Sequence, residues 1–225
     1  MSERLRRAAR RLSTAVRTRL ARKPKQLFLV KPSLDGLPPV CLPAGYTLRH
    51  FREGDQASWN TLLDLAFDVR HGGYDFDRDM KPDPAFRAER VMIVEHAGTV
   101  AATASAWYRP ALGAHCGYIE WVATHPQHRG HRLGYWANLA ALHRMKAEGR
   151  TAVALHTDDF RLAALRLYLG MGFQPVIDDP THRERWRAVL DTLQWPERFE
   201  ATLAGRLERL VRRLPWVHRS AARPG

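Results

Sequence analysis

Residues 117–134 read GYIEWVATHPQHRGHRLG, and this stretch decides the fold. Its first half predicts a strand that Pro126 stops, and the residues after Gly134 predict a helix that ends at Gly149. A strand that leads through Gly130 into a helix N-terminus offers backbone N–H donors and a positive dipole end to a phosphate group. On spacing alone, an ordinary glycine-containing turn with exposed basic side chains remains an equal alternative.

The segments on either side of this stretch predict a mixed α/β sheet. Several strands come first, and a strand–helix–strand–helix–strand order follows. The predicted strands are 46–51, two strands within 91–108 joined at 96–98, 117–124, 151–157 and 174–178, and the predicted helices start near 55, 134, 160, 183 and 197.

The net charge of +13 over 225 residues suggests a polyanionic partner until it is divided along the chain. Residues 1–26 carry +9, residues 183–225 carry +5, and residues 27–182 carry −1. No aromatic-plus-basic RNA motif or helix-turn-helix pattern accompanies the charge, which argues against nucleic acid as partner. The period of residues 1–26 predicts a basic amphipathic helix that packs on protein or lies on a membrane surface.

The same division predicts the domain organisation. We expect a basic helical extension over 1–26, a Pro-rich link over 27–45, one domain over 46–182 and a helical extension over 183–225. Cys41 and Cys116 cannot build a disulfide framework, so a reducing, cytoplasmic compartment is expected. No apolar run approaches the roughly 18 residues of a membrane-spanning helix.

Two motifs in order resemble the GNAT superfamily of acetyl-CoA-dependent N-acyltransferases over roughly residues 46–180. The family's pyrophosphate loop has the form Q/R-x-x-G-x-G/A, and its second marker has the form N-x-x-A-x-x-L-Y-x-x-x-G-F. The matching positions are Gln127, Gly130 and Arg132 in the first, and Ala164, Leu167, Tyr168, Gly172 and Phe173 in the second. Arg132 stands where the family prefers Gly or Ala, and Arg161 stands where many members have Asn. The segment HTDDFRLAALRLYLGMGFQP resembles a bacterial subset with TDD-x-R-L, related in pattern to the mycothiol-synthase-like branch.

The resemblance implies a mostly antiparallel central sheet with flanking helices, and transfer of an acetyl group from acetyl-CoA, as co-substrate, to a primary amine. It implies direct attack in a ternary complex, with a backbone N–H near Val122 for the oxyanion and Tyr168 as general acid. Tyr168 could instead only pack against Leu165 and Phe173. The expected cofactor-binding residues are Val122, Ala123, Thr124, Gln127, Arg129, Gly130, His131, Arg132, Leu133, Gly134 and Arg161.

Glu120 is the candidate general base, because attack requires a neutral amine and therefore a proton acceptor. A structural ion pair is the main alternative for Glu120, and Tyr118 or water are alternative bases. Regular alternation would place Tyr118, Glu120 and Val122 on one face of the strand and Trp121 and Ala123 on the other.

The loop after the first helix is rich in aspartate, and Asp75 and Asp77 are candidates for recruiting a cationic amine. A solvated polar loop is an equal alternative, and the spacing does not fit a calcium loop. His125, His128 and His131 are better explained as phosphate-loop positions than as metal ligands, so no metal is expected. The alternative function is a catalytically silent acyl-CoA-binding module that acts through its basic termini.

Overall fold

The computed structural model of this chain describes residues 24–195. Residues 1–23 of the helix predicted for residues 1–26, and the helix predicted after Pro196, therefore lie outside the described residues. None of the helices within residues 24–195 is long and apolar enough to cross a bilayer.

A seven-stranded sheet in the order β2-β3-β4-β5-β6-β1-β7 forms the centre of the described region. Its neighbouring strands run antiparallel, except that β5 and β6 are parallel. This arrangement confirms the predicted mixed and mostly antiparallel sheet. The strands are β1 Leu27–Lys31, β2 Tyr46–His50, β3 Val91–His96, β4 Thr99–Trp107, β5 Cys116–Thr124, β6 Ala152–Thr157 and β7 Gln174–Val176.

Helices cover both faces of the sheet, so each face buries its own core. On one face, α1 contributes Trp59 and Leu62; on the other, α3 contributes Leu139 and Leu142, and α5 contributes Trp186. The helices are α1 Gln56–Phe67, α2 Phe76–Asp79, α3 Leu133–Ala147, α4 Leu162–Gly170 and α5 His182–Leu193, with 3-10 turns at Ala88–Arg90, Pro110–Leu112 and Pro126–His128.

The folded core extends beyond the predicted limits of 46–182 at both ends. Residues 27–30 read LFLV and form β1, which pairs with β6 on one side and β7 on the other. Continuous apolar residues are typical of a strand that is covered on both faces, and the prolines that follow had suggested a link instead. At the other end, α5 buries Trp186 completely.

A β-bulge interrupts β5 in the middle of the decisive stretch. Ser105 of β4 lies opposite Glu120, whereas Thr103 lies opposite Ala123, so β5 has one residue too many. Trp121 occupies this position with φ of 55°, a left-handed conformation that is rare for a bulky residue. Bulges re-aim side chains and are frequent beside active sites.

The bulge corrects the predicted alternation along β5. Tyr118, Trp121 and Ala123 pack in the core beneath α1, whereas Ile119 and Val122 belong to the core beneath α3 and α4. A regular strand would have placed Val122 with Tyr118, and the extra residue reverses the faces after Glu120.

Strands β5 and β6 pair only at their beginnings. The parallel ladder joins Cys116, Gly117 and Tyr118 to Ala152, Val153 and Ala154, and the register ends there. Beyond Tyr118 the two strands separate, so the second half of β5 has an edge that is not hydrogen-bonded to β6.

Replacement of Leu155 by alanine should lower the free energy of unfolding by about 3 kcal/mol, because it empties space in a packed core. Leu155 lies in β6 opposite Leu29 and is 1% exposed. Leu65→Ala, at a helical position that is 45% exposed, is the matched control and should change the free energy by less than about 0.5 kcal/mol. Urea unfolding measures both, and equal losses would contradict the placement of β6 in the core.

Candidate active site

A cavity of about 880 Å³ lies where β5 and β6 separate. Its walls come from β5, from the loop before α3, from the end of β6, from α4 and from the end of α1. The predicted site residues that line it are Glu120, Val122, Ala123, Thr124, Arg129, Gly130, Arg132, Leu133, Gly134, Arg161 and Tyr168; Gln127, His131, Asp75 and Asp77 are not among the lining residues.

The loop before α3 has the backbone that an anion-binding turn requires. Gly130 has φ of 86°, and no heavy atom of the described residues lies within 4 Å of the position that a Cβ would occupy there. A ligand can therefore approach this backbone closely. Gly134 packs the first turn of α3 on β5, since a Cβ there would lie 3.2 Å from Thr124 Oγ1. The first N–H groups of α3 point out of the helix toward this loop, as at any helix start.

Arg132 takes the left-handed conformation that suits the Gly preferred by the family at this position. Its φ is 56°, and it directly precedes α3. Its guanidinium lies 4.7 Å from the ring centre of Tyr135 and 5.8 Å from that of Trp136, so the side chain lies along the helix. These cation–π contacts offset part of the roughly 1–2 kcal/mol that a left-handed residue costs. The departure from the family pattern is thus accommodated.

Glu120 is both a cavity residue and one half of an ion pair. Arg109 Nη2 lies 2.6 Å from each of its carboxylate oxygens. Burial raises the pKa of Glu120 above its usual value, although Arg109 acts in the opposite direction. The ion pair that the sequence left open for Glu120 is therefore present, and it occupies both oxygens that a base would use.

Tyr168 packs in the core and also lines the cavity. Its ring packs edge to face against Phe173, with 5.7 Å between the ring centres, and the residue lines the cavity. Burial raises the pKa of Tyr168 well above its usual range, so the hydroxyl keeps its proton near neutral pH.

His156 is a cavity residue that the sequence analysis missed. Its Nδ1 lies 2.8 Å from the Tyr118 hydroxyl oxygen, and its ring stacks on Phe28 at 4.5 Å. Burial lowers the pKa of His156 to about 4 and raises that of Tyr118 to about 12, so both side chains are neutral near pH 7. This hydrogen bond links β5 to β6 across the cavity. The sequence does not reveal it, because it depends on these two strands being neighbours in the sheet.

Aromatic side chains form the wall of the cavity below α1. Tyr74 lies 5.4 Å from Phe67 and 6.1 Å from Trp121, measured between ring centres. Arg161 lies 4.4 Å from the ring centre of Phe67 and so connects the loop before α4 to the end of α1. Asp68, directly after α1, is the aspartate of this region that lines the cavity.

Asp75 and Asp77 have structural partners away from the cavity lining. Asp75 caps α2 by accepting a hydrogen bond of 2.8 Å from the Arg78 backbone N–H. Asp77 forms an ion pair of 2.8 Å with Lys81. Neither position favours contact with an amine in the cavity.

The histidines of the loop bond to neighbouring protein groups. His128 Nδ1 lies 3.0 Å from the Tyr46 hydroxyl, and His125 Nδ1 accepts a bond of 3.2 Å from the Gln127 backbone N–H. Within residues 24–195, no group of three or more His, Cys, Asp or Glu residues is arranged to hold a metal ion.

Two curated mycothiol acetyltransferases are similar to this chain in sequence. A mycothiol acetyltransferase from Thermobispora bispora is 32% identical over 154 residues, which cover 64% of this chain and 51% of that one. Another from Streptomyces griseus subsp. griseus is 30% identical over 172 residues, which cover 74% of this chain and 55% of that one. The chain thus spans about half the length of these curated relatives.

A solved structure shares the fold. The GCN5-related N-acetyltransferase from Sphaerobacter thermophilus has a TM-score of 0.53 and 19% identity, and the match covers 72% of this chain and 52% of that one. The pattern of the acetyltransferase (GNAT) family matches residues 57–173, which include all of α1 except its first residue, the loop before α3 and both sequence motifs. The chain belongs to the GNAT family of acetyltransferases.

Proposed function

We propose that this chain transfers an acetyl group from acetyl-CoA to a primary amine by direct attack in a ternary complex. The observation that carries the proposal is the cavity between β5 and β6. It combines a backbone suited to a pyrophosphate with a partly buried carboxylate and a buried phenol in one space.

Acetyl-CoA fits the side of the cavity formed by β5, α3 and α4. The open backbone at Gly130, the start of α3 and the guanidinium of Arg129 together match a pyrophosphate in charge and in hydrogen-bonding capacity. Gln127 and His131 lie in the same loop and contribute through its backbone in this proposal. Residues Val122, Ala123 and Thr124 border the gap where the thioester would lie.

The cavity side chains can supply each proton transfer of the reaction. Glu120 accepts a proton from the amine nitrogen, whose lone pair then attacks the thioester carbonyl carbon. A backbone N–H near Val122 stabilises the oxyanion, because the edge of β5 beyond Tyr118 is free of the β6 ladder. The C–S bond then breaks, and the Tyr168 hydroxyl donates its proton to the departing thiolate. The nitrogen, which is cationic after the attack, loses its excess proton to the Tyr168 phenolate and leaves as the neutral amide, and Glu120 releases the first proton to solvent.

The acceptor in this proposal is a small molecule with a primary amine. The mycothiol acetyltransferase relatives suggest a low-molecular-weight amine, and the rings of Phe67, Tyr74 and Trp121 offer it an apolar wall. A reducing, cytoplasmic compartment fits the free thiols of Cys41 and Cys116. Contact of residues 1–26 with an anionic membrane surface is a proposal that rests on their charge alone.

Replacement of Glu120 by glutamine should lower kcat by at least about a hundredfold, because the amide cannot accept the amine proton. Binding of acetyl-CoA, measured by calorimetry, should stay within about twofold, since Glu120 lies beside the acceptor and not beside the pyrophosphate loop. Glu53→Gln, which neutralises an exposed carboxylate paired with Lys81, is the matched control and should keep full activity. Full turnover in the Glu120 variant would exclude it as base. A wild-type chain that binds acetyl-CoA but acetylates no amine would favour the silent binding module.

Replacement of Gly130 by alanine should weaken acetyl-CoA binding about five- to tenfold, because an alanine in the left-handed region costs about 1–2 kcal/mol. Gly170→Ala is the matched control, since it adds the same methyl group at the end of α4 where no described heavy atom lies within 4 Å. Calorimetric titration with coenzyme A compares the two. Equal affinities would show that the conformation of Gly130 is not required for binding.

A further inference from the structure

Arg109 is the cation that neutralises Glu120 in this structure. It lies two residues after the end of β4, and its Nη2 lies 2.6 Å from both oxygens of Glu120. Its Nη1 lies 3.6 Å from Asp83 Oδ2, and its guanidinium carbon lies 5.2 Å from the ring centre of Tyr118. Arg109 therefore lies between two carboxylates, one inside the cavity wall and one nearer to solvent.

The position of Arg109 conflicts with the work of a general base. A guanidinium stays protonated at any physiological pH, so it can neither deliver a proton to Glu120 nor take one away. Its charge also lowers the pKa of Glu120, against the effect of burial. An acceptor amine that arrives as an ammonium ion needs the same oxygens that Arg109 now holds.

We propose that Arg109 is a specificity-determining residue that holds the ammonium position on Glu120 and moves to Asp83 when a cationic primary amine binds. This inference rests on the proposed role of Glu120 as base. The ammonium then donates one proton to a carboxylate oxygen of Glu120, and the neutral amine nitrogen keeps the lone pair that attacks the thioester.

Asp83 is built to receive the displaced guanidinium. Its Oδ1 accepts a hydrogen bond of 2.8 Å from the Ala85 backbone N–H, which fixes the carboxylate and leaves Oδ2 turned toward Arg109. The side chain of Arg109 is 40% exposed, whereas that of Glu120 is 24% exposed, so the cation has the greater freedom to move. A short movement of the guanidinium breaks its salt bridge with Glu120 and shortens the one that it already forms with Asp83.

The exchange selects for a cationic acceptor. Leaving a buried carboxylate without a counter-ion is costly, so a neutral ligand that expelled Arg109 would leave Glu120 unpaired. An ammonium ion carries one positive charge, as the guanidinium does, so Glu120 keeps a counter-ion after the exchange. Aliphatic primary amines, which are protonated near neutral pH, meet this condition, whereas arylamines and amides do not.

The test uses the full chain with carbon-13 in its glutamate carboxyl groups and butylammonium as the probe. The carboxyl resonance of Glu120 is identified as the one that disappears in Glu120→Gln. Its chemical shift is followed first as the pH changes. It is then followed as butylammonium is added at a pH where the carboxylate is ionised. The variants are Arg109→Gln, Asp83→Asn and, as matched control, Arg87→Gln, an exposed arginine whose guanidinium bonds the Phe86 carbonyl.

We expect the pKa of Glu120 to rise in Arg109→Gln, because burial then acts unopposed, and butylammonium to bind about fivefold more tightly since its competitor is gone. Asp83→Asn keeps the bond to Ala85 but offers no charge to the guanidinium, so binding should weaken about fivefold. Arg87→Gln should match the wild type in both measurements.

Weaker binding in Arg109→Gln, or unchanged binding in Asp83→Asn, would overturn the inference and leave Arg109 as a structural partner of Glu120. Acetylation of butylamine is measured in the same wild-type samples by mass spectrometry. If the binding pattern holds but acetyl-CoA transfers nothing to butylamine or to other amines, the proposed function fails and the exchange of cations stands. If acetyl transfer occurs but the variants do not show this pattern of butylammonium binding, the exchange of cations on Glu120 is wrong and the proposed function stands.

Discussion

The separation of β5 from β6 after Tyr118 is the constraint on which the rest of this molecule depends. Two neighbouring parallel strands inside a sheet normally stay hydrogen-bonded along their length, whereas the pairing of β5 with β6 ends after three residues. The bulge at Trp121 bends β5 at that point and carries the strain of a left-handed tryptophan. The resulting gap supplies free backbone on one side and room for a long, anionic substrate on the other.

Electrostatics inside this gap follow from burial more than from net charge. Glu120 carries a raised pKa because the cavity wall desolvates it, and Arg109 limits that rise. Burial holds Tyr118, Tyr168 and His156 neutral near pH 7, so Glu120 and its partner Arg109 are the charged groups beside them. The overall +13 of the chain plays no part in this arrangement, because most of that excess lies near the two ends of the sequence.

Local signals such as turns, periodicity and glycine positions predict the sheet and the loop before α3, and the family resemblance adds eleven residues that line the cavity. The other features depend on contacts between residues that are distant in the sequence, so local signals do not predict them. The strand at 27–31 looks like part of a link until β6 and β7 flank it, and the pairing of Glu120 with Arg109 requires the β4–β5 register. Tyr118 and His156 are 38 residues apart and meet only because β5 and β6 are neighbours. No glycine in the sequence marks the bulge at Trp121, so the predicted alternation assigns the residues after Glu120 to the wrong faces of β5.

We propose that an acetyl group passes from acetyl-CoA to an amine in the gap between β5 and β6. The most direct measurement is release of free coenzyme A thiol from acetyl-CoA by the wild-type chain, against a panel of aliphatic amines, aminoglycosides, polyamines and peptide N-termini. The account predicts thiol release that depends on at least one amine of the panel and yields its N-acetyl product. Tight binding of acetyl-CoA with no amine-dependent thiol release across the panel would contradict it.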